Sequence, residues 1–96
     1  MFECHITLMS SQGEQATEIA KNLHWKTSEI ARDPVLGNDT YFYLTTHTDN
    51  LPAMMTKLAG ARGQLQQAGI EIIREKIEVI IYDTKTKDKN QHLTVV

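Results

Sequence analysis

Phe2-Glu3-Cys4-His5-Ile6-Thr7-Leu8 alternates apolar and polar residues without a break. Successive side chains of a strand point to opposite faces, so Phe2, Cys4, Ile6 and Leu8 share one side. Glu3, His5 and Thr7 share the other. A half-buried strand is the reading: one side belongs to a core, and the other presents a carboxylate, an imidazole and a hydroxyl to whatever lies outside it.

Working outward, Ser10 to Gly13 breaks this pattern, and Ser11 with Glu14 has the spacing of a capping box. The following segment carries Ala16, Ile19, Ala20 and Leu23 on one helical stripe and ends near Asn22 to His24. Trp25 to Ile30 reads as a weaker strand. Pro34 and Gly37-Asn38 mark a turn-rich loop from Arg32 to Thr40, long enough to line a site. Tyr41-Phe42-Tyr43-Leu44-Thr45-Thr46-His47 is dense in aromatic and β-branched residues and predicts a third strand.

Asp49-Asn50 can cap a second helix, with Pro52 in its first turn. Leu51, Met54, Met55, Leu58, Ala61 and Leu65 recur at helical spacing as its core stripe. Gly60 and Gly63 interrupt that helix, and each costs about 1 kcal/mol against alanine; a close packing contact is the expected reason. Gly69 is a natural stop. Ile70 to Asp83 is strand-like and divides into Ile70 to Ile73 and Lys76 to Tyr82, because Arg74-Glu75-Lys76 breaks the alternation. Thr84 to Gln91 is polar and lysine-rich, and His92 to Val96 returns to strand-like residues.

The 96 residues are 41% hydrophobic and 23% charged, with a formal net charge of −2. That suits one globular domain and speaks against disorder and a broad basic surface. The single cysteine, Cys4, cannot form an internal disulfide, so a reducing, cytoplasmic setting is expected. No apolar run approaches the roughly 20 residues that span a bilayer. The strand-like start is not read as a signal peptide. No membrane association is expected.

The order β-α-β-β-α-β over residues 2–83 resembles the ferredoxin-like fold, an α+β sandwich. The resemblance implies a four-stranded antiparallel sheet, with both helices on one face and the first and third strands as central neighbours. Residues 1–83 then form a single domain, and residues 84–96 form a polar tail that can add a strand. Such a fold hosts many unrelated activities, so function has to come from a site.

With helices over the Cys4/Ile6 side, the open face holds Glu3, His5 and Thr7 from the first strand. It also holds Tyr41, Tyr43, Thr45 and His47 from the third, and Lys76, Glu78, Ile80 and Tyr82 from the last, with Arg74 at the rim. An imidazole exchanges protons near neutral pH. Lys76 and Arg74 suit a phosphate or carboxylate. Glu3 or Glu78 can orient a ring nitrogen, and Tyr41 and Tyr43 can stack on a ring. The set Glu3, His5, Tyr41, Tyr43, His47, Arg74, Lys76 and Glu78 therefore predicts a site for a small anionic ligand or a nucleotide.

Other chemistries find less in the sequence. His5 and His47 can meet across neighbouring strands and Glu3 can join them, but no zinc-type ligand spacing is present, so no metal and no cofactor are expected. His24 at a helix end is accounted for by the dipole. No Gly-x-Ser-x-Gly, Walker-type or Gly-x-Gly-x-x-Gly element occurs.

His5-Ile6-Thr7-Leu8 and His92-Leu93-Thr94-Val95 both read His-x-Thr-apolar. The pair resembles the signature of the two-histidine phosphoesterases. That resemblance implies His5 and His92 as general acid and base, with Thr7 and Thr94 binding the scissile phosphate; His47 is the other imidazole able to partner His5. Aromatics on central strands are also similar to the RNA-recognition motif. Here, however, His5 stands where that motif has a ring, and the negative charge opposes nucleic acid.

The sequence favours a binding or interaction domain over an enzyme, with a homodimer as the expected assembly through the open face or the tail. If it is an enzyme, a metal-independent phosphodiesterase is the form implied.

Overall fold

The computed structural model describes residues 1–30, 40–82 and 90–94. The turn signals at Pro34 and Gly37-Asn38, the lysine-rich linker and the side chains of Tyr82, His92 and Thr94 lie outside this description.

The chain runs β1 (Phe2–Met9), a 3-10 turn (Ser10–Gln12), α1 (Gly13–Leu23), β2 (Lys26–Ile30), β3 (Tyr41–Thr48), α2 (Leu51–Gln67), β4 (Arg74–Tyr82) and β5 (Asn90–Thr94). The strands form one sheet in the order β2-β3-β1-β4-β5. Every neighbouring pair is antiparallel. With two helices on it, the architecture is α+β. No helix among the described residues is long and apolar enough to cross a membrane.

The alternation of β1 decides where the core sits. Cys4, Ile6 and Leu8 are wholly buried. They pack with Leu44 and Ile77 of the flanking strands, Ala16 and Ala20 of α1, and Met54, Leu58, Ala61 and Leu65 of α2. Both helices therefore lie over the same side of the sheet. Removing these apolar side chains from water is the main stabilising contribution, about 1.5–3 kcal/mol for each fully buried large one.

Local chemistry departs from the sequence reading at several points. The Ser11/Glu14 capping box does not open α1: the 3-10 turn leads into it instead, and the cap residue Gln12 makes no side-chain cap bond. Gly13, the first residue of α1, stands against the Phe42 ring, where an added Cβ would lie 2.7 Å from Phe42 Cδ1. Gly60 and Gly63 have nothing within 4 Å of an added Cβ, so packing does not explain them. Met55 lies 44% exposed, because the buried stripe of α2 is the narrow row Met54, Leu58, Ala61 and Leu65. Finally, β4 is one strand from Arg74 onward, while Ile73 before it still donates its N–H to the Thr7 carbonyl at 2.9 Å.

Asn50 caps α2 as the sequence suggests, its side-chain oxygen accepting from Ala53 N–H at 2.8 Å. At the end of α1, His24 adopts a left-handed conformation (φ 62°) and its N–H closes on Ala20 and Lys21 carbonyls. Trp25 then buries its ring and donates its N–H to Ala20 at 2.8 Å, which turns the chain into β2.

Candidate functional site

Antiparallel register sets three rows across the middle of the open face. His47, Glu3 and Glu78 form the first row, Thr45, His5 and Lys76 the second, and Tyr43, Thr7 and Arg74 the third. Seven of the sequence-derived site residues (Glu3, His5, Tyr43, His47, Arg74, Lys76 and Glu78) thus stand on three adjacent strands, with Thr7 among them. Tyr41 lies further along, opposite Met9, and is buried.

Glu3 is the hub. Its Oε1 receives His5 Nε2 at 2.7 Å and its Oε2 receives His47 Nε2 at 2.6 Å. The other ring nitrogen of His5, Nδ1, lies 3.0 Å from Thr45 Oγ1. With Nε2 protonated, Nδ1 accepts from the threonine hydroxyl, which can also turn to accept. The His5 ring sits at a tilt beside Tyr43, with centroids 6.1 Å apart.

Glu3 and Glu78 oppose each other directly across β1 and β4. Like charges so placed repel, and each carboxylate has its own compensation. Glu3 has the two imidazoles, and Glu78 has Lys76, whose Nζ lies 2.6 Å from Glu78 Oε1. Burial pushes the Glu3 carboxyl upward, but the hydrogen bonds from His47 and His5 and their charge outweigh it. The group is held below its ordinary value of 4.5. Glu78 is 7% exposed, so this is a partly desolvated charge cluster, where Coulomb terms exceed those of an open surface.

The second histidine of the His-x-Thr pair stands elsewhere. His92 is in register with Ile80 of β4, whereas His5 is in register with Lys76. The two backbone positions are therefore about 13 Å apart along the sheet and about 10 Å apart across it. Thr94 is in register with Glu78 on the far side of β4. Of the two imidazoles considered as partners of His5, His47 is the one that shares Glu3 with it.

At the end of the sheet, Arg74 helps line a cleft of about 310 Å³ with Arg62, Gln66, Ile72, Ile73 and Glu75. Arg62 grips Glu75 through two bonds of 2.7 and 2.8 Å. Sequence reading did not find this cleft, because nothing in the spacing of α2 and β4 says where the helix crosses the strand. It also left Thr45 out of the site, since a threonine gains its role only from the ring beside it.

As a chemical device, the cluster holds two imidazoles, an ammonium and two carboxylates in mutual reach. It can store and pass a proton, offer donors to an anion, or offer oxygen and nitrogen donors to a cation. No protein-family model, no curated protein and no solved structure matches the chain.

Proposed function

We propose that this is a small binding domain of ferredoxin-like type that takes an anionic ligand, a phosphate or carboxylate group, on its open sheet face. The strand order β2-β3-β1-β4 with both helices on one side supports that fold assignment. The observation that carries the function is the Glu3 carboxylate holding His5 and His47 together, with Lys76 and Arg74 next along β4. An incoming oxyanion takes the place of Glu3 as acceptor for imidazole N–H groups and draws on the neighbouring cations, where charge-assisted bonds are strongest. Edge strands β2 and β5 offer main-chain groups for pairing and support a homodimer.

The test is thermal stabilisation by inorganic phosphate, nucleotides and sugar phosphates, wild type beside His5→Ala. A ligand at 100 times its dissociation constant adds about 2.7 kcal/mol to the folded state. The reading expects a shift in the wild type that disappears with His5→Ala; an unmoved wild type across the panel overturns it.

One observation favours a second reading, phosphodiester cleavage: His5 and His47 share a single carboxylate, which can orient both rings for acid and base roles. Turnover of a chromogenic phosphodiester, lost in both His5→Ala and His47→Ala, distinguishes an enzyme from a binding domain.

A further inference from the structure

The proposed anion site has an electrostatic difficulty, since two carboxylates, Glu3 and Glu78, stand side by side in its first row. A cation between them removes it. We propose that Glu3, His5 and Glu78 bind a divalent transition-metal ion of the zinc class, and that this ion supplies the docking point for the anionic ligand. This deepens the binding reading above and rests on it for the anion alone.

The donor set is assembled by register rather than by sequence spacing. Glu3 and Glu78 are cross-strand partners and His5 follows Glu3 on the same face. One ligand atom from each lies within 4.8 Å of the others. Donors around one zinc ion, with bonds of about 2 Å, are separated by no more than about 4 Å, so closure needs only small side-chain rotations. Two oxygens and one nitrogen are ordinary zinc donors, and three protein ligands leave a further position open.

The surrounding groups suit the change. Binding through His5 Nε2 requires that nitrogen to give up its proton and the ring to carry it on Nδ1. Thr45 Oγ1, 3.0 Å away, can accept from Nδ1 just as it now can donate to it. His47 keeps its bond to Glu3 Oε2, leaving Oε1 for the ion. Such outer hydrogen bonds orient metal ligands and are worth tenfold or more in affinity. Lys76 is the competitor: its ammonium holds Glu78 and must move aside. Once moved, it stands free beside a neutralised metal–dicarboxylate centre, where it attracts an anion.

The test uses the full chain after chelator treatment, titrated calorimetrically with zinc alone. One equivalent binds in the wild type, and Glu78→Gln weakens it at least tenfold. Lys76→Met strengthens it several-fold, because the competing cation is gone. His24→Gln, an exposed histidine on the far end of α1, leaves it unchanged. No binding by the wild type, equal binding by Glu78→Gln, or Lys76→Met failing to tighten binding overturns the proposal. Lys76→Met also guards against a folding defect in the other variant, since its predicted effect is a gain.

Phosphate titration with and without zinc separates the two readings. Equal phosphate binding by chelated and loaded protein sustains the anion site and removes the metal from it. One-equivalent zinc binding with no response to phosphate sustains the metal site and removes the anion reading.

Discussion

His47 Nε2 on β3 lies 2.6 Å from Glu3 Oε2 on β1, across 44 residues of sequence. With His5 on the other oxygen, the Glu3 carboxylate is held ionised in a partly buried setting. A carboxylate whose folded pKa is depressed adds stability above its unfolded value and loses it as pH falls through the folded pKa. Glu3→Gln should therefore cost about 1–2 kcal/mol at pH 7, the range of a hydrogen bond to a charged group. In urea unfolding, that gap stays open down to about pH 4.5 and closes below it. A gap unchanged between pH 7 and pH 3 contradicts the assignment.

The glycines of the two helices should respond oppositely to the same change. Gly60→Ala adds a methyl group into open space and should stabilise the chain by about 0.5–1 kcal/mol. Gly13→Ala drives its Cβ into the Phe42 ring and should destabilise by about 1–3 kcal/mol, the range for overpacking. At this chain length each kcal/mol moves the melting temperature by about 4–8 °C, so calorimetry reads both.

Cys4 should be inert in the folded protein. Burial, followed by the Glu75 charge, pushes its thiol up to about 12 despite the opposing Arg62. The thiolate is the reactive form. Alkylation at pH 8 should then track global unfolding, accelerating with denaturant in step with loss of the folded signal. Rapid labelling in native buffer contradicts the placement of Cys4 in the core.

Asn50→Ala removes the side-chain acceptor of Ala53 N–H at the start of α2. The expected loss is about 1 kcal/mol, measured by chemical denaturation, and Asn50→Asp should recover most of it. Equal losses in both variants would mean that the cap bond does not hold this helix end.

The period of two in residues 2–8 carries directly into β1, and with it the side of the sheet that Glu3, His5 and Thr7 occupy. That much is local, because pleating alone decides it. The contacts of Glu3 are different in kind. They depend on its standing opposite His47 and Glu78 rather than one residue to either side, and register is set by the whole sheet. Met55 was misplaced for a related reason. A methionine beside Met54 fits a wide apolar stripe, but α2 meets the sheet along a narrow one. The Ser11/Glu14 spacing failed because a 3-10 turn took over the start of α1. Gly60 carried a cost that suggested a contact, and the helix bears that cost in the open.

β1 is the middle of the described sheet, yet its neighbours β3 and β4 come from distant parts of the chain. The first strand therefore waits for two later segments before its hydrogen bonds are complete. Chains with such long-range pairings close large loops before they gain from them, and they fold slowly compared with helical proteins of equal size. The row that holds Glu3 is complete only once β3, β1 and β4 are together: a fragment ending after α2 can pair Glu3 with His47 but lacks Lys76 and Glu78 altogether. The full cluster is therefore assembled only when β4, made after both helices, docks on β1.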